Sequence, residues 1–177
     1  SRWIRDRLDE GARAQPFRHG LEFPFQNTRL VIVNEGSART GIWREGEKLT
    51  VGGEPEHLNR RVTDWLRREA RSALSERSDY YAGLLGKKRG SITIRDTKSR
   101  WGSCAPDGAL SFSWRLILAP SFILDYVAAH ECAHLVHLNH SLAFWRLLMT
   151  LGVETHAARD WFSAHGPSLY SYGVEAA

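Results

Sequence analysis

The sequence predicts an α+β fold in one domain, and three patterns carry that expectation. Short segments of alternating apolar and polar residues occur in both halves of the chain. An amphipathic helical pattern runs from residue 55 to about residue 77, and a second, more apolar helical segment follows Pro120. At 177 residues the chain is long enough to bury a core without disulfide support. Neither an internal repeat nor a low-complexity stretch interrupts it.

Taken in order, residues 1–54 read as an N-terminal β-hairpin region. The first 20, rich in Arg, Asp and Gly, show weak periodicity and read as a short helix or a loose arm. Leu30-Val31-Ile32-Val33 is a short apolar run. Residues 41–44 and 48–51 read as a hairpin turning at Glu45-Gly46-Glu47, and Gly52-Gly53 ends its second strand. Residues 55–90 read as a scaffold-helix region. Leu58, Val62, Trp65, Leu66, Glu69 and Ala73 recur there at spacings of three and four, surrounded by Arg60, Arg61, Arg67, Arg68 and Arg71, so one buried stripe and a basic outer face are expected. A basic turn at 86–90 leads into residues 91–177, the catalytic half. Segments 91–95, 100–104 and 109–114 read as strands, the last two separated by a turn at 105–108. Pro120 suits the first turn of a helix.

The apolar fraction of 42% and charged fraction of 25% place the chain among ordinary globular proteins. The formal charge of +4 rests mostly on Arg, with Lys only at 48, 87, 88 and 98. Arg suits bidentate contacts with carboxylate or phosphate, but so small a charge is also that of a solvated basic surface. Cys104 and Cys132 do not form a CxxC pair, so neither a disulfide framework nor a thiolate zinc site is expected. Ser1-Arg2-Trp3-Ile4-Arg5-Asp6-Arg7 lacks an apolar leader stretch and no run reaches membrane-spanning length. The expectation is a cytoplasmic protein without membrane contact.

The helix after Pro120 carries His130-Glu131-Cys132-Ala133-His134. A helix turns about 100° per residue, so histidines four apart project from one face and can converge on one ion at about 2.0–2.1 Å. Glu131 flanks that ion, where its carboxylate can accept a proton from an activated water. Ile123, Tyr126, Val127 and Ala133 make the helix otherwise apolar. Two basic side chains on a buried face need partners, which a metal supplies for both; a pair of hydrogen-bonded core histidines is the plainer alternative. The pattern points to a zinc-dependent hydrolase.

A catalytic zinc usually has three protein ligands and one open position. Four residues compete for the third place. His137 lies about 10 Å along the axis from His130 and fits better as a flanking or packing residue. His140 is favoured: Asn139 suits a left-handed helix cap, Ser141 can cap the next helix, and a reversal between them would aim His140 back at the ion. Glu154 and His165 remain open.

The residues now point to a family. Thr97-Lys98-Ser99-Arg100-Trp101-Gly102-Ser103-Cys104, then Trp114-Arg115-Leu116-Ile117-Leu118-Ala119-Pro120, then Asp125-Tyr126-Val127 and the segment 130–145 resemble the YgjP-like metal-dependent hydrolases. These are similar to the SprT and WLM-type zinc metallopeptidases. The resemblance is dense over about residues 91–151 and looser before them. It implies a zincin-like fold, a small twisted sheet beside the zinc-binding helix, with His130, His134 and His140 as zinc ligands and Glu131 as general base. Two positions depart from the pattern: Cys132 stands where an aliphatic residue is common, and Ser113 where Asn is common.

The expected activity is that of a metallopeptidase using zinc-activated water, with a peptide or protein substrate adding to a sheet edge, for which 109–114 is the natural candidate. Arg115, His165, Tyr170 and Tyr172 are candidate oxyanion donors. One alternative is a metal-dependent nucleotide phosphohydrolase with Lys98, Arg100 and Arg115 holding phosphate. Another is a nucleic-acid-associated module with a structural metal. Against the first alternative stands the lack of a Gly-rich phosphate loop, and against the second the lack of a fourth ligand.

Overall fold

The computed structural model describes residues 13–36 and 40–175. Residues 1–12, most of the arm expected over the first 20, lie outside the described residues. The N-terminal sheet comprises β1 (Glu22–Phe25), β2 (Thr28–Asn34), β3 (Ile42–Glu45) and β4 (Lys48–Val51), in the order β1-β2-β4-β3. The expected hairpin is β3–β4, closed at Gly46, whose φ of 60° is costly for any residue with a Cβ. β2 pairs with β4 in parallel. β1 was not foreseen: Pro24 argues against a strand, yet at a sheet edge it need not donate to a ladder. Phe23, Phe25, Leu30, Ile32, Leu49 and Val51 are all buried and fill the inner face.

A short 3-10 turn (Pro55–His57) leads into α1 (Leu58–Leu84), which runs about two turns beyond the expected end. Its buried stripe continues through Ala70, Leu74, Ser78 and Tyr81, so Ala70 and Leu74 take the places assigned to Glu69 and Ala73. Part of the basic face is spent inside the fold. Arg61 donates to the carbonyl of Gly52, Arg67 to that of Ile94 and Arg71 to that of Ile92, which ties both sheets to α1.

The second sheet holds β5 (Ile92–Arg95), β6 (Gly102–Cys104) and β7 (Leu110–Ser113), in the order β5-β7-β6. This corrects the expected edge. β6 and β7 form an antiparallel hairpin, and β5 takes the other side of β7 in parallel. The segment 109–114 is therefore central, and β6 is an edge. A buried 3-10 turn (Trp114–Leu118) follows, then α2 (Ser121–Ala133), α3 (Leu142–Thr150) and α4 (Thr155–Leu169). The fold is α+β, with small sheets and four α-helices among the described residues.

The N-terminus of α2 has Pro120 as its cap residue, which offers no side-chain acceptor. Asn27, in the β1–β2 turn, supplies one: its Oδ1 accepts from the Ser121 N–H at 2.9 Å. Gln26 beside it adopts φ 50° and donates from its side chain to the carbonyls of Ile117 and Ala119. At the other end of the chain, Gln15 exchanges backbone hydrogen bonds with Ser171 and Gly173. One apolar core extends from Phe17 to Leu169. Among the described residues no helix is long and apolar enough to cross a membrane.

Candidate metal centre

Almost every residue of α2 faces protein, with Ile123, Leu124, Val127, Ala128, Ala129 and Cys132 buried. The helix is thus a rigid post, and its last turn carries His130 and Glu131. His134 is its C-cap, where the backbone leaves the helix. No left-handed residue at Asn139 ends it: Gln26 is the one non-glycine with positive φ among the described residues. The chain instead turns through 134–137, with the Leu135, Val136 and His137 amides bonded to carbonyls at 132 and 133, so the reversal begins five residues earlier. Ser141 caps α3 as expected, its Oγ accepting from the Phe144 N–H at 3.3 Å. His140 sits immediately before that cap.

These local features bring His130, His134 and His140 together, with one ring nitrogen of each within 4.8 Å of the others. The Nε2 atoms of His130 and His140 are 3.2 Å apart. Two nitrogens at about 2.0–2.1 Å from a tetrahedral ion would be about 3.3 Å apart, so this edge already has ligand spacing. His134 Nδ1 lies 2.9 Å from the carbonyl oxygen of His137. Donation there fixes the tautomer and leaves Nε2 as the free base, the nitrogen that can face an ion. His137 contributes through its backbone and is not part of the cluster. The rings are held by packing: Phe144 stacks on His134 at 4.5 Å between centroids, and Trp145 stacks on His140 at 5.5 Å. The residues present fit a divalent cation.

Burial lowers the His130 pKa to about 4, with the neighbouring His134, His140 and Arg159 charges adding to the effect, and His134 is lowered mainly by burial. Both imidazoles are therefore neutral at pH 7, the form that binds a metal. Burial pushes the Glu131 carboxyl up to about 7, and the charge of Arg100 opposes it in part. Glu131 is buried against β6. A Cβ placed on Gly102 would lie 3.0 Å from both Cγ and Oε2 of Glu131 and 2.9 Å from Val127 Cγ1. The glycine of the Trp101-Gly102-Ser103-Cys104 motif thus allows the carboxylate to lie directly under the edge strand.

A family model described as YgjP-like, metallopeptidase domain, matches residues 1–165. The chain belongs to the YgjP-like family. The family is one of metallopeptidases, which implies a divalent metal and hydrolysis of peptide bonds. No curated protein matches the chain. Among solved structures, the metallopeptidase zymogen of Pyrococcus abyssi abylysin is similar, at 20% identity over 52% of this chain and 92% of that one, with a TM-score of 0.46.

Other residues considered from the sequence fall elsewhere in this YgjP-like domain. Glu154 precedes α4 as its exposed cap residue, and His165 lies on α4 with its ring 5.3 Å from that of Trp161. Arg115 is 3% exposed and fully engaged: it pairs with Asp96 at 2.9 Å and donates to the carbonyls of Leu169 and Tyr172. It is a structural brace, which removes it from the oxyanion and phosphate candidates. Tyr170 stacks on Trp101 and its hydroxyl reaches the Lys98 carbonyl. Cys132 points away from the cluster, toward the Ser78 carbonyl on α1, and burial raises its thiol to about 12. Ser113 caps the 3-10 turn by accepting from the Arg115 N–H, a task Asn performs equally well. Sequence reasoning missed Gly102 as a contact of Glu131, and Tyr126 and Arg159 as neighbours of His130. The WGSC motif was the available signal for the first and the i, i+4 spacing on α2 for Tyr126; Arg159 lies on α4, which only packing brings near.

Proposed function

We propose that this chain is a zinc metallopeptidase in which His130, His134 and His140 hold the ion and Glu131 is the general base. The observation that supports it best is the convergence of three imidazoles within 4.8 Å of one another, two of them already at ligand spacing, with one buried carboxylate in the adjoining helical position. Zinc, when bound, supplies a Lewis acid and lowers the pKa of water toward neutrality. Three histidines and, among the described residues, no fourth His, Cys, Asp or Glu in the group favour an open site over a closed structural one. The chain is read as one domain, because the core is continuous from Phe17 to Leu169.

A peptide substrate would lie along β6, the sheet edge beside α2, by adding a strand. Glu131 then accepts the proton of the water attacking the amide carbon and delivers it to the departing amine as the C–N bond breaks. The His134–His137 carbonyl bond keeps one imidazole oriented throughout. The phosphohydrolase reading loses Arg115, one of its three candidate cations, to the Asp96 pair. The nucleic-acid reading loses part of its basic face to carbonyls within the fold.

Glu131→Gln tests the assignment. The variant should bind zinc with unchanged stoichiometry while cleavage of an unfolded polypeptide falls by about 10²–10⁴-fold. Retained turnover would remove the general-base role.

A further inference from the structure

The motif at 97–104 contributes more than Gly102 beneath Glu131. On the opposite, outer face of the second sheet, Ser103 on β6 is directly paired with Ser111 on β7, which is paired with Thr93 on β5; Ser113 lies beside Arg95. Alternation along each strand turns Leu110, Phe112 and Ile94 into the core and leaves this face to small hydroxyl side chains. The small floor makes a hollow of about 220 Å³, walled by Arg95, Thr97, Arg100 and Trp101.

Its chemistry is one-signed. Two guanidinium groups line the hollow and no carboxylate does. Neither Arg95 nor Arg100 has an ion-pair partner among the described residues, although the Arg100 charge is felt at Glu131, whereas Arg29, Arg77, Arg89 and Arg115 all have one. Arg95 is oriented across the floor by donation from Nε to Ser111 Oγ at 3.3 Å. The adjacent Asp96 is committed to Arg115. Arginine forks beside hydroxyl donors are suited to a carboxylate.

Size and neighbours narrow the ligand. The hollow is smaller than the roughly 300–1,000 Å³ of small-molecule sites, and it suits one side chain. Trp101, the single large aromatic in the wall beside Phe112, is already stacked on Phe162 and on Tyr170 at 5.1 and 5.0 Å, which disfavours its use as a platform for a nucleobase. A peptide added to β6 would project every second side chain onto this outer face.

We propose that the Arg95–Arg100 hollow is a specificity pocket for an acidic side chain of the peptide substrate. The proposal rests on the metallopeptidase reading for the path of the peptide along β6. It makes the substrate class a polypeptide with Asp or Glu at an alternate position beside the edge strand.

Two peptide libraries, identical except for Glu or Gln at each position in turn, test it by fluorescence anisotropy on the zinc-loaded Glu131→Gln protein. One Glu position should bind about tenfold more tightly than its Gln counterpart, and the preference should weaken with salt. Arg95→Gln should reduce that preference to less than about threefold, and Arg95→Lys should keep part of it, since the charge remains and the fork is lost. Both substitutions are at an exposed position, and a melting curve checks that the fold is retained. Equal affinity for Glu and Gln at every position would overturn the pocket. So would a preference that survives Arg95→Gln, or arginine-dependent binding of a nucleoside triphosphate with none of the acidic peptide. Turnover of the same peptides by the unaltered protein is read separately, so failure of the peptidase reading shows as absent cleavage and failure of the pocket as absent discrimination.

Discussion

The two sheets are built from similar short strands and put to different uses. In the N-terminal sheet, Phe23, Leu30, Ile32, Leu49 and Val51 are each fully or almost fully buried, and its turn at Gln26-Asn27 is spent on docking the 3-10 turn and capping α2. The second sheet has three strands of three or four residues, a glycine in its edge strand and an outer face of serines and of arginines that have no ion-pair partner among the described residues. The first sheet converts sequence into stability. The second gives up packing to keep an edge, a hollow and a close approach to Glu131. What separates scaffold from site here is which sheet keeps arginines without an ion-pair partner among the described residues.

Breaking the scaffold side should give the largest loss of stability. Phe23→Ala removes a completely buried ring and should cost about 3–5 kcal/mol in chemical denaturation. Zinc affinity of the fraction that remains folded should stay near that of the unaltered protein. At the site, His140→Ala should weaken zinc binding by more than the roughly 10–100-fold typical of an outer-shell change, measured by chelator competition. His137→Ala should have little effect, because its carbonyl and not its ring serves His134. Equal losses in the two variants would merge cluster and surroundings and remove the distinction.

Gly102→Ala sits between the two roles. The added methyl would press on Glu131 and Val127 at 2.9–3.0 Å, for an overpacking cost of about 1–3 kcal/mol. Peptide turnover should fall while zinc content is kept; a change in zinc content alone would place the strain on the ligands instead. The smallest effect concerns the brace under the second sheet. Burial tends to raise Asp96, but the hydrogen bond and charge of Arg115 outweigh it and hold the carboxyl below its ordinary value. That contribution is present above the unfolded pKa of about 3.9 and is lost as pH falls through the lower folded value. The melting temperature of Asp96→Asn should therefore lie furthest below that of the unaltered protein near neutrality and approach it in acid.

The same contrast explains what could be read from sequence. The β3–β4 hairpin, α1 and α2 follow from period and turn chemistry, and two histidines four apart on a helix define a face without further knowledge. β1 was hidden by Pro24, and the central place of β7 by a parallel pairing that no local pattern encodes. His140 could be favoured from Ser141, but by the wrong geometry, since the chain leaves the helix at His134 and not at Asn139. The outer hollow depends on which of Ser103, Ser111 and Ser113 share a face, and that required the register of three strands.

The central claim is an open three-histidine zinc site, and X-ray absorption on the zinc-loaded protein tests it most directly. The account predicts about one zinc per chain with a first shell of nitrogen and oxygen at about 2.0–2.1 Å, including scattering from three imidazoles. A sulfur shell at about 2.3 Å, or a spectrum unchanged in His140→Ala, would contradict it.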